Sequence, residues 1–498
     1  MINVITKTAA DINDTEVGVR AGSFASRDAW VLHGGELGAV AVAAYLRVGT
    51  TDGFKRTVNA DAQTRNDTIF GTHASMAPGQ TNSGVDSLDG GLDLAYGNWR
   101  WRNGYKLRDN LGTYIGLGSA LDPVGRGKTE RITSDLSWID NQFARNWGLT
   151  GVASFMQYKQ RYPVLAQIYP PGAKLPTGVF TDGMIGDPEF SERQVRLFGA
   201  ATYSGFAGNK IRLGLGRDDL DMYSTREYKN FLYSATGVPI PNDPVIDSPL
   251  PYINPHRRIV NYLYAQDEWT FARDWTLTAG IRHDNYADAG STTNPRLALV
   301  WDARFDMTAK LLYGEAFRAP SFAEEYSTNN PISSGNASLQ PETNRTVEAV
   351  LSWQAAPNLQ LGVNFFHYEM QNIIRSVVNV APTPGSTYQN TGGQHGDGME
   401  MEAAWDASRS LRLTGSYSDQ KSIDEATGQD AGYAPHRHAT CSTPMYANPA
   451  SHLALPSPTT CRWRRARFIF RRPISYDGNR GKLPVCGGFG GENIGDAS

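Results

Sequence analysis

Trp275-Thr276-Leu277-Thr278-Ala279-Gly280-Ile281-Arg282 places an apolar side chain at every odd position and a polar residue or glycine at every even one. Successive side chains of a strand point to opposite faces, so this octet predicts a ribbon with one greasy and one wet side. The same period recurs in Leu359, Leu361, Val363 and Phe365 against Gln360, Gly362 and Asn364. It recurs again in Leu411, Leu413 and Tyr417 against Arg412, Thr414 and Ser416. A soluble sandwich and a membrane cylinder share this local signal. Mean hydropathy is −0.43, and no apolar run approaches the roughly 18 residues of a membrane-crossing helix. A helical membrane protein is excluded, whereas a barrel is not, because its strands are apolar only at alternate positions.

The connections separate the two alternatives. Short polar turns join neighbouring ribbons at Ala144-Arg145-Asn146, Ala272-Arg273-Asp274, Ala303-Arg304-Phe305-Asp306, Ala355-Ala356-Pro357-Asn358 and Ala407-Ser408-Arg409. Between them lie long irregular stretches near 161–190, 222–257, 318–342 and 375–392. Short turns at one end and long loops at the other are the layout of an outer-membrane β-barrel. Trp99, Trp147 and Trp275 follow short turns, where an interfacial aromatic girdle would sit. About seventeen strands are expected between Thr15 and Gln420. They lie near 15–24, 28–36, 39–52, 88–97, 99–109, 128–140, 147–160, 191–203, 209–222, 258–271, 274–287, 294–304, 307–317, 343–355, 358–374, 394–406 and 409–420. The reading is therefore an all-β, antiparallel transmembrane barrel, incomplete against the roughly 22 strands of plugged transporters.

Composition narrows the function classes. The net charge of −3 is well mixed over 498 residues, which argues against nucleic acid as a partner. The cysteines are Cys441, Cys461 and Cys486 only, so the first 440 residues carry no disulfide framework or cysteine metal site. Met1–Lys7 lacks the charged start and long apolar core of a signal peptide. Past Pro435 the alternation stops, and Arg462, Arg464, Arg465, Arg467, Arg471 and Arg472 crowd together. Residues 436–498 are expected to be an atypical Arg- and Pro-rich tail, disordered or translated out of frame. An enzyme would need a Ser or Asp beside a His on the wall. His283 and His367 sit on expected strands without such partners, and His436 and His438 make no metal pair at their spacing.

Leu312-Tyr313-Gly314-Glu315-Ala316-Phe317-Arg318-Ala319-Pro320-Ser321-Phe322 is a strand ending at a proline that opens a long loop. It resembles the Tyr-Gly-x-x-Phe-Arg-Ala-Pro-Ser signature of TonB-dependent outer-membrane receptors. Pro341-Glu342, Asn390-Thr391-Gly392 and Gly398-Met399-Glu400-Met401-Glu402 resemble later motifs of that family in the expected order. Alternation sends Glu400 and Glu402 to a wet lumen and Met399 and Met401 to lipid. Ile2-Asn3-Val4-Ile5-Thr6-Lys7 resembles the last strand of the family's plug. The division implied is 1–14 as the end of a plug, 15–435 as a partial barrel and 436–498 as the tail.

The resemblance implies uptake of a large scarce solute, driven by the TonB complex, which grips a plug segment not present here. A ferric siderophore is the favoured solute. Cobalamin, haem or a glycan are alternatives, as is a non-functional fragment of a disrupted receptor gene. Haem is disfavoured because 321–340 contain no His and the second box reads Asn336-Ala337-Ser338-Leu339. No cofactor or bound metal of the protein itself is expected, and the resemblance implies lipid as the barrel's surroundings. Arg161, Tyr162, Tyr169, Arg226, Tyr228, Lys229, Tyr233, Arg257 and Arg258 are the candidate solute-facing loop residues, cations and rings suited to an anionic chelate.

Overall fold

The structure, a computed structural model, describes residues 6–12, 14–234, 237–330, 333–380, 385–409, 411–431, 437–444 and 465–469. Among the described residues the chain forms a 21-stranded antiparallel sheet in which consecutive wall strands pair as neighbours. The wall strands are β1 (Thr15–Ala21), β2 (Arg27–Leu37), β3 (Val40–Thr51), β4 (Val85–Tyr96), β5 (Trp99–Gly112) and β6 (Arg126–Ala144). They continue with β7 (Trp147–Val164), β8 (Met184–Tyr203), β9 (Asn209–Tyr233), β10 (His256–Ala272), β11 (Trp275–Tyr286) and β12 (Gly290–Arg304). The last full-length ones are β13 (Met307–Arg318), β14 (Glu342–Ala356), β15 (Leu359–Gln371), β16 (Gly393–Ser408) and β17 (Leu411–Asp424).

Two shorter strands, β18 (Arg437–Pro444) and β19 (Arg465–Ile469), add to β17 in turn. They extend the sheet past residue 436, where the apolar/polar pattern predicts no strand. Among the described residues no pairing joins β1 to the far edge. Of the expected plug strand, Met1 to Ile5 lie outside the described residues, as do His436, Cys461, Cys486, Arg462, Arg464, Arg471 and Arg472.

Register shows that the alternation is continuous around the wall. Val48, Leu88 and Leu107 are directly opposite one another in turn, as are Leu136, Ala153 and Leu197. The apolar set is exposed rather than packed: Leu215 is 68% accessible, Leu263 58%, Leu311 53% and Phe365 54%. A sandwich would bury these residues between its layers. Here they form an outer surface suited to lipid, and the polar set lines the inside. On that inner face Arg20, Asp28, Arg47, Asp89 and Arg108 form a chain of ion pairs across β1 to β5.

The turn end carries the aromatic girdle. Trp99 packs on Trp138 (6.5 Å between rings), Trp147 on Tyr203 (4.7 Å) and Trp275 on Trp301 (5.1 Å, nearly parallel). Turns such as Tyr96–Trp99 close tightly because Gly97 takes φ 56°, a region open to glycine. Helix α1 (Ala9–Ile12) lies against the inner face of β2, where Gly34 leaves it room; a Cβ there would meet the Ile12 Cβ at 2.5 Å.

The loop end is thicker than the sequence pattern suggests. Strands β8 and β9 run beyond the expected 191–203 and 209–222 to Met184 and Tyr233. Expected loop 375–392 contains a hairpin, Ile374–Val378 on Ser386–Asn390. The connection Tyr286–Gly290 is short although it lies at this end. Helices α2 (Ala62–Phe70) and α3 (Phe322–Tyr326) sit in the loops after β3 and β13.

Candidate functional site

The loops at the outer end hold the buried apolar cluster of the described residues: Ile168, Phe180, Met184 and Phe231, with Tyr169, Leu175 and Tyr233 packed on it. A rigid cap is thereby built on one mouth of the cylinder, the place where a solute arriving from outside would first meet the protein.

The signature motif residues tie this cap to the wall. Arg318, at the end of β13, donates from Nε to Glu342 (2.6 Å) and from its two terminal nitrogens to Glu324 (2.8 and 3.0 Å). Glu342 also accepts the Ile374 N–H at 2.7 Å. Thus one arginine and one glutamate pin the base of the loop after β13 to the next strand and to the following hairpin. Asn390 works similarly, accepting the Gln340 N–H (2.8 Å) and donating to the Gln340 and Asn372 carbonyls (2.9 and 2.7 Å). Phe317 packs edge-on against Tyr286, centroids 5.6 Å apart. Gly392 sits at φ 48°, and Gly398 lies under the Phe366 ring, 2.3 Å from where a Cβ would stand. Glu400 and Glu402 share the inward register with Gly398, and Asn364 Nδ2 donates to Glu400 at 3.5 Å. Ala319, Pro320 and Pro341 complete the bend.

The candidate cations divide by position. Arg258 is 5% exposed and tied on every side: Nε donates to Asp288 (2.7 and 2.9 Å), Nη1 donates to the Pro320 carbonyl (2.7 Å), and Nη2 pairs with Glu325. Its guanidinium also lies 5.0 Å from the Phe322 ring centre. Lys229 is 1% exposed, bonded to Glu227 (2.9 Å) and the Leu250 carbonyl (2.7 Å), and flanked by the Phe231 and Tyr233 rings. Tyr169 and Tyr233 belong to the cap's packing, and the Tyr233 hydroxyl donates to the Asn329 carbonyl. These four hold the loops together.

Arg161, Arg226 and Arg257 stand on the outward register instead. Arg161 follows Gln157 and Lys159 on the lipid-side face of β7, with Glu130 at 4.0 Å. Arg226 pairs with Asp247 at 2.5 Å and lies over the Tyr228 ring. Arg257 donates to Asp219 at 2.7 Å. Tyr162, next to Arg161 on β7, is half-buried on the inward register.

Cations that do face the lumen come from the wall, where loop composition gives no hint of them. Arg102, Lys106 and Arg131 are exposed on the inward register and make no ion pair among the described residues. Lys106 and Arg131 are directly opposite one another. Like charges across a ladder are destabilising, and on its other side Lys106 has Asp89 directly opposite. The signal was available in the alternation Arg100, Arg102, Lys106, Arg108 along β5.

One titration follows from the cap. Burial pushes the Glu325 carboxyl up to about 7; Arg258 opposes the rise, and the neighbouring Asp288 and Glu324 charges add to it. An acid whose folded value is raised binds more protons folded than unfolded, so stability falls as pH rises through that window. The docked loop after β13 is expected to resist limited proteolysis better at pH 5.5 than at pH 8, by on the order of 1 kcal/mol. Glu325→Gln should flatten the dependence. Equal cleavage rates of the wild type at both pH values would show that Glu325 keeps its ordinary titration.

The comparisons with known proteins agree with this geometry. An iron-regulated outer membrane virulence protein of Vibrio cholerae is 31% identical over 119 residues, 23% of this chain and 18% of the relative. The vitamin B12 transporter BtuB of the same species is 28% identical over 166 residues, 33% of this chain and 24% of the relative. The match to each of these two relatives therefore spans less than a third of its length. Among solved structures, the siderophore receptor PirA of Pseudomonas aeruginosa superposes with a TM-score of 0.59 at 14% identity, covering 87% of this chain and 68% of that one. That likeness shows the fold. The family described as "TonB dependent receptor-like, beta-barrel" matches residues 46–484, and the chain belongs to it.

Proposed function

We propose that the protein is the barrel of an outer-membrane receptor that takes up an anionic ferric chelate of the siderophore class, with energy supplied through TonB. The observation that supports the solute class is the lumen wall itself, where Arg102, Lys106 and Arg131 point inward and make no ion pair among the described residues, although Asp93 and Asp135 stand opposite Arg102 and Asp89 opposite Lys106. Charge-assisted contacts of this kind select an anion over a neutral solute of equal size. The siderophore receptor PirA shares the fold, which supports the reading without identifying the ligand. Tyr162, on the inward register at the mouth, completes the proposed contact surface, and the motif residues Phe317 to Pro320, Pro341 and Glu342 position it.

The test uses the full chain folded in detergent micelles, with intrinsic fluorescence quenching by a ferric tris-catecholate, by cyanocobalamin and by haem. Saturable binding of the catecholate is expected, and Arg102→Gln/Lys106→Gln/Arg131→Gln should weaken it at least tenfold and reduce its salt dependence. Preference for cyanocobalamin or haem, or catecholate binding untouched by the triple variant, would overturn the proposal. A folded barrel that binds none of the three would favour the disrupted-receptor reading.

A further inference from the structure

We infer that the cap over the mouth carries an acid latch at Asp187, which holds three loops on the β8–β9 hairpin while its carboxyl keeps a proton and loosens them when the proton leaves. The latch does not depend on which solute the lumen takes.

Its centre is the pair of consecutive residues Ala166 and Gln167, just past the end of β7. Two carboxylates reach their adjacent amides. Asp187 Oδ1 accepts the Ala166 N–H at 2.5 Å, and Asp122 Oδ2 accepts the Gln167 N–H at 3.1 Å. Ala166, Asp122 and Asp187 are all fully buried. Asp122 lies in the connection from β5 to β6, which is tied in turn to the loop after β3. Leu121 donates its N–H to Asp61 at 2.9 Å, and Asn82 Nδ2 donates to the Asp122 and Gly125 carbonyls at 3.0 and 3.1 Å. Asp187 sits on the extension of β8 that pairs with the upper half of β9. The loops after β3, β5 and β7 therefore meet the β8–β9 hairpin at one junction.

The two carboxylates are unequally provided for. Asp122 accepts from the Val124, Gly125 and Gln167 N–H groups and from the Thr113 hydroxyl, so each of its oxygens has two donors. Asp187 has one donor, and its Oδ2 is buried without a hydrogen-bond partner among the described residues. Around it stand Glu189 on its own strand, Glu227 on β9, Asp122 and the Tyr162 hydroxyl. Lys229 on β9 is bound to Glu227 and the Leu250 carbonyl instead. A carboxylate that is desolvated, short of donors and set among like charges takes up a proton. Burial pushes the Asp187 carboxyl up to about 7; the Ala166 N–H opposes the rise, and the Glu189, Asp122 and Glu227 charges add to it. The residue lies sixteen positions along β8 from Tyr203 in the girdle. On a strand tilted by about 40° that is a rise of roughly 40 Å, clear of the hydrocarbon core, so Asp187 titrates with the water outside. Loss of its proton sets a second negative charge beside Asp122, and the junction relieves it by parting. An acid whose folded value is raised gives up stability as pH climbs towards and through that value, so the latch opens on the alkaline side.

The test follows hydrogen exchange of the Ala166 and Gln167 amides in the full chain, folded in detergent micelles, over a series from pH 6 to pH 8.5. Rates are divided by the intrinsic exchange rate at each pH. Protection is expected to fall about tenfold across the series, the linkage for one carboxyl that titrates near 7 when the junction is closed. Asp187→Asn should be protected equally at every pH. Asp122→Asn should move the midpoint to lower pH by removing a like charge. Glu325→Gln, in the loop after β13, should leave the midpoint where it is. Wild-type protection that does not vary with pH overturns the latch, as does a dependence that survives Asp187→Asn or disappears in Glu325→Gln. If Asp187→Asn loses its compact mobility on unheated gels, Asp122→Asn decides: a shifted midpoint supports the latch and an unmoved one overturns it.

Discussion

Ile281→Arg is expected to destabilise the barrel in a bilayer by about 2–4 kcal/mol, and Thr278→Arg by less than about 0.5 kcal/mol. The two positions lie three residues apart on β11, but on opposite faces. Ile281 continues the outward set of Trp275, Leu277 and Ala279, and it is 49% exposed on a surface assigned to lipid. It lies about six residues above the girdle, near the midplane for a tilted strand. A guanidinium there has neither water nor a partner. Thr278 faces the lumen and is directly opposite Glu268, so an arginine placed there gains an ion partner and keeps its hydration. Urea unfolding of the chain in phosphatidylcholine vesicles, followed by tryptophan fluorescence, measures both. If Thr278→Arg were the damaging change and Ile281→Arg the tolerated one, the inside and outside of the wall would be exchanged, and the receptor fold would not hold.

This contrast rests on the feature most legible in the sequence. Alternation in segments such as Trp275–Arg282 predicts the wall strands, and the short turns predict their neighbours, because both depend only on local pattern and chain connectivity. The loop end is less legible for a physical reason. Met184-Ile185-Gly186-Asp187-Pro188-Glu189-Phe190 has no clean alternation and contains a proline. It nevertheless extends β8, because its partner, the upper half of β9, offers a ladder. Tertiary pairing there overrides local propensity. The same holds past Pro435, where β18 and β19 pair onto β17 without an apolar/polar period.

Candidate ligand cations fail to separate by composition for a related reason. Lys229 and Arg161 look alike in sequence, but one is buried against Glu227 and the other stands on the outer wall. Counting parity from Trp147 along β7 would have placed Arg161 outward. Nothing in the local sequence discloses the burial of Lys229, which depends on the Leu250 carbonyl arriving from another loop. The cations at the mouth therefore divide between those buried in the cap, such as Lys229 and Arg258, and those on the outer wall, such as Arg161 and Arg257.

Arg258→Leu is expected to undock the loop after β13 at a local cost of about 3–5 kcal/mol, the usual consequence of removing one partner from a buried ion pair. Arg258 joins β10, the Tyr286–Gly290 connection and the loop that opens at Pro320, through Asp288, the Pro320 carbonyl and Glu325. Leucine fills much of the volume but leaves the Asp288 and Glu325 carboxylates buried without a cation. Hydrogen exchange of the Ala323 to Ser327 amides is the direct measure, since Glu325 and Ser327 donate within α3 and should lose protection. Arg258→Leu/Glu325→Gln should recover part of it, because one uncompensated charge is gone. The single variant should also be less impaired at pH 5.5, where Glu325 is neutral. The wall need not respond, because Arg318 and Glu342 still fix the base of the loop. Protection unchanged in Arg258→Leu would mean that α3 docks through Phe322 and Tyr326 on His256 alone, and the arginine would lose its place as the joint of the cap.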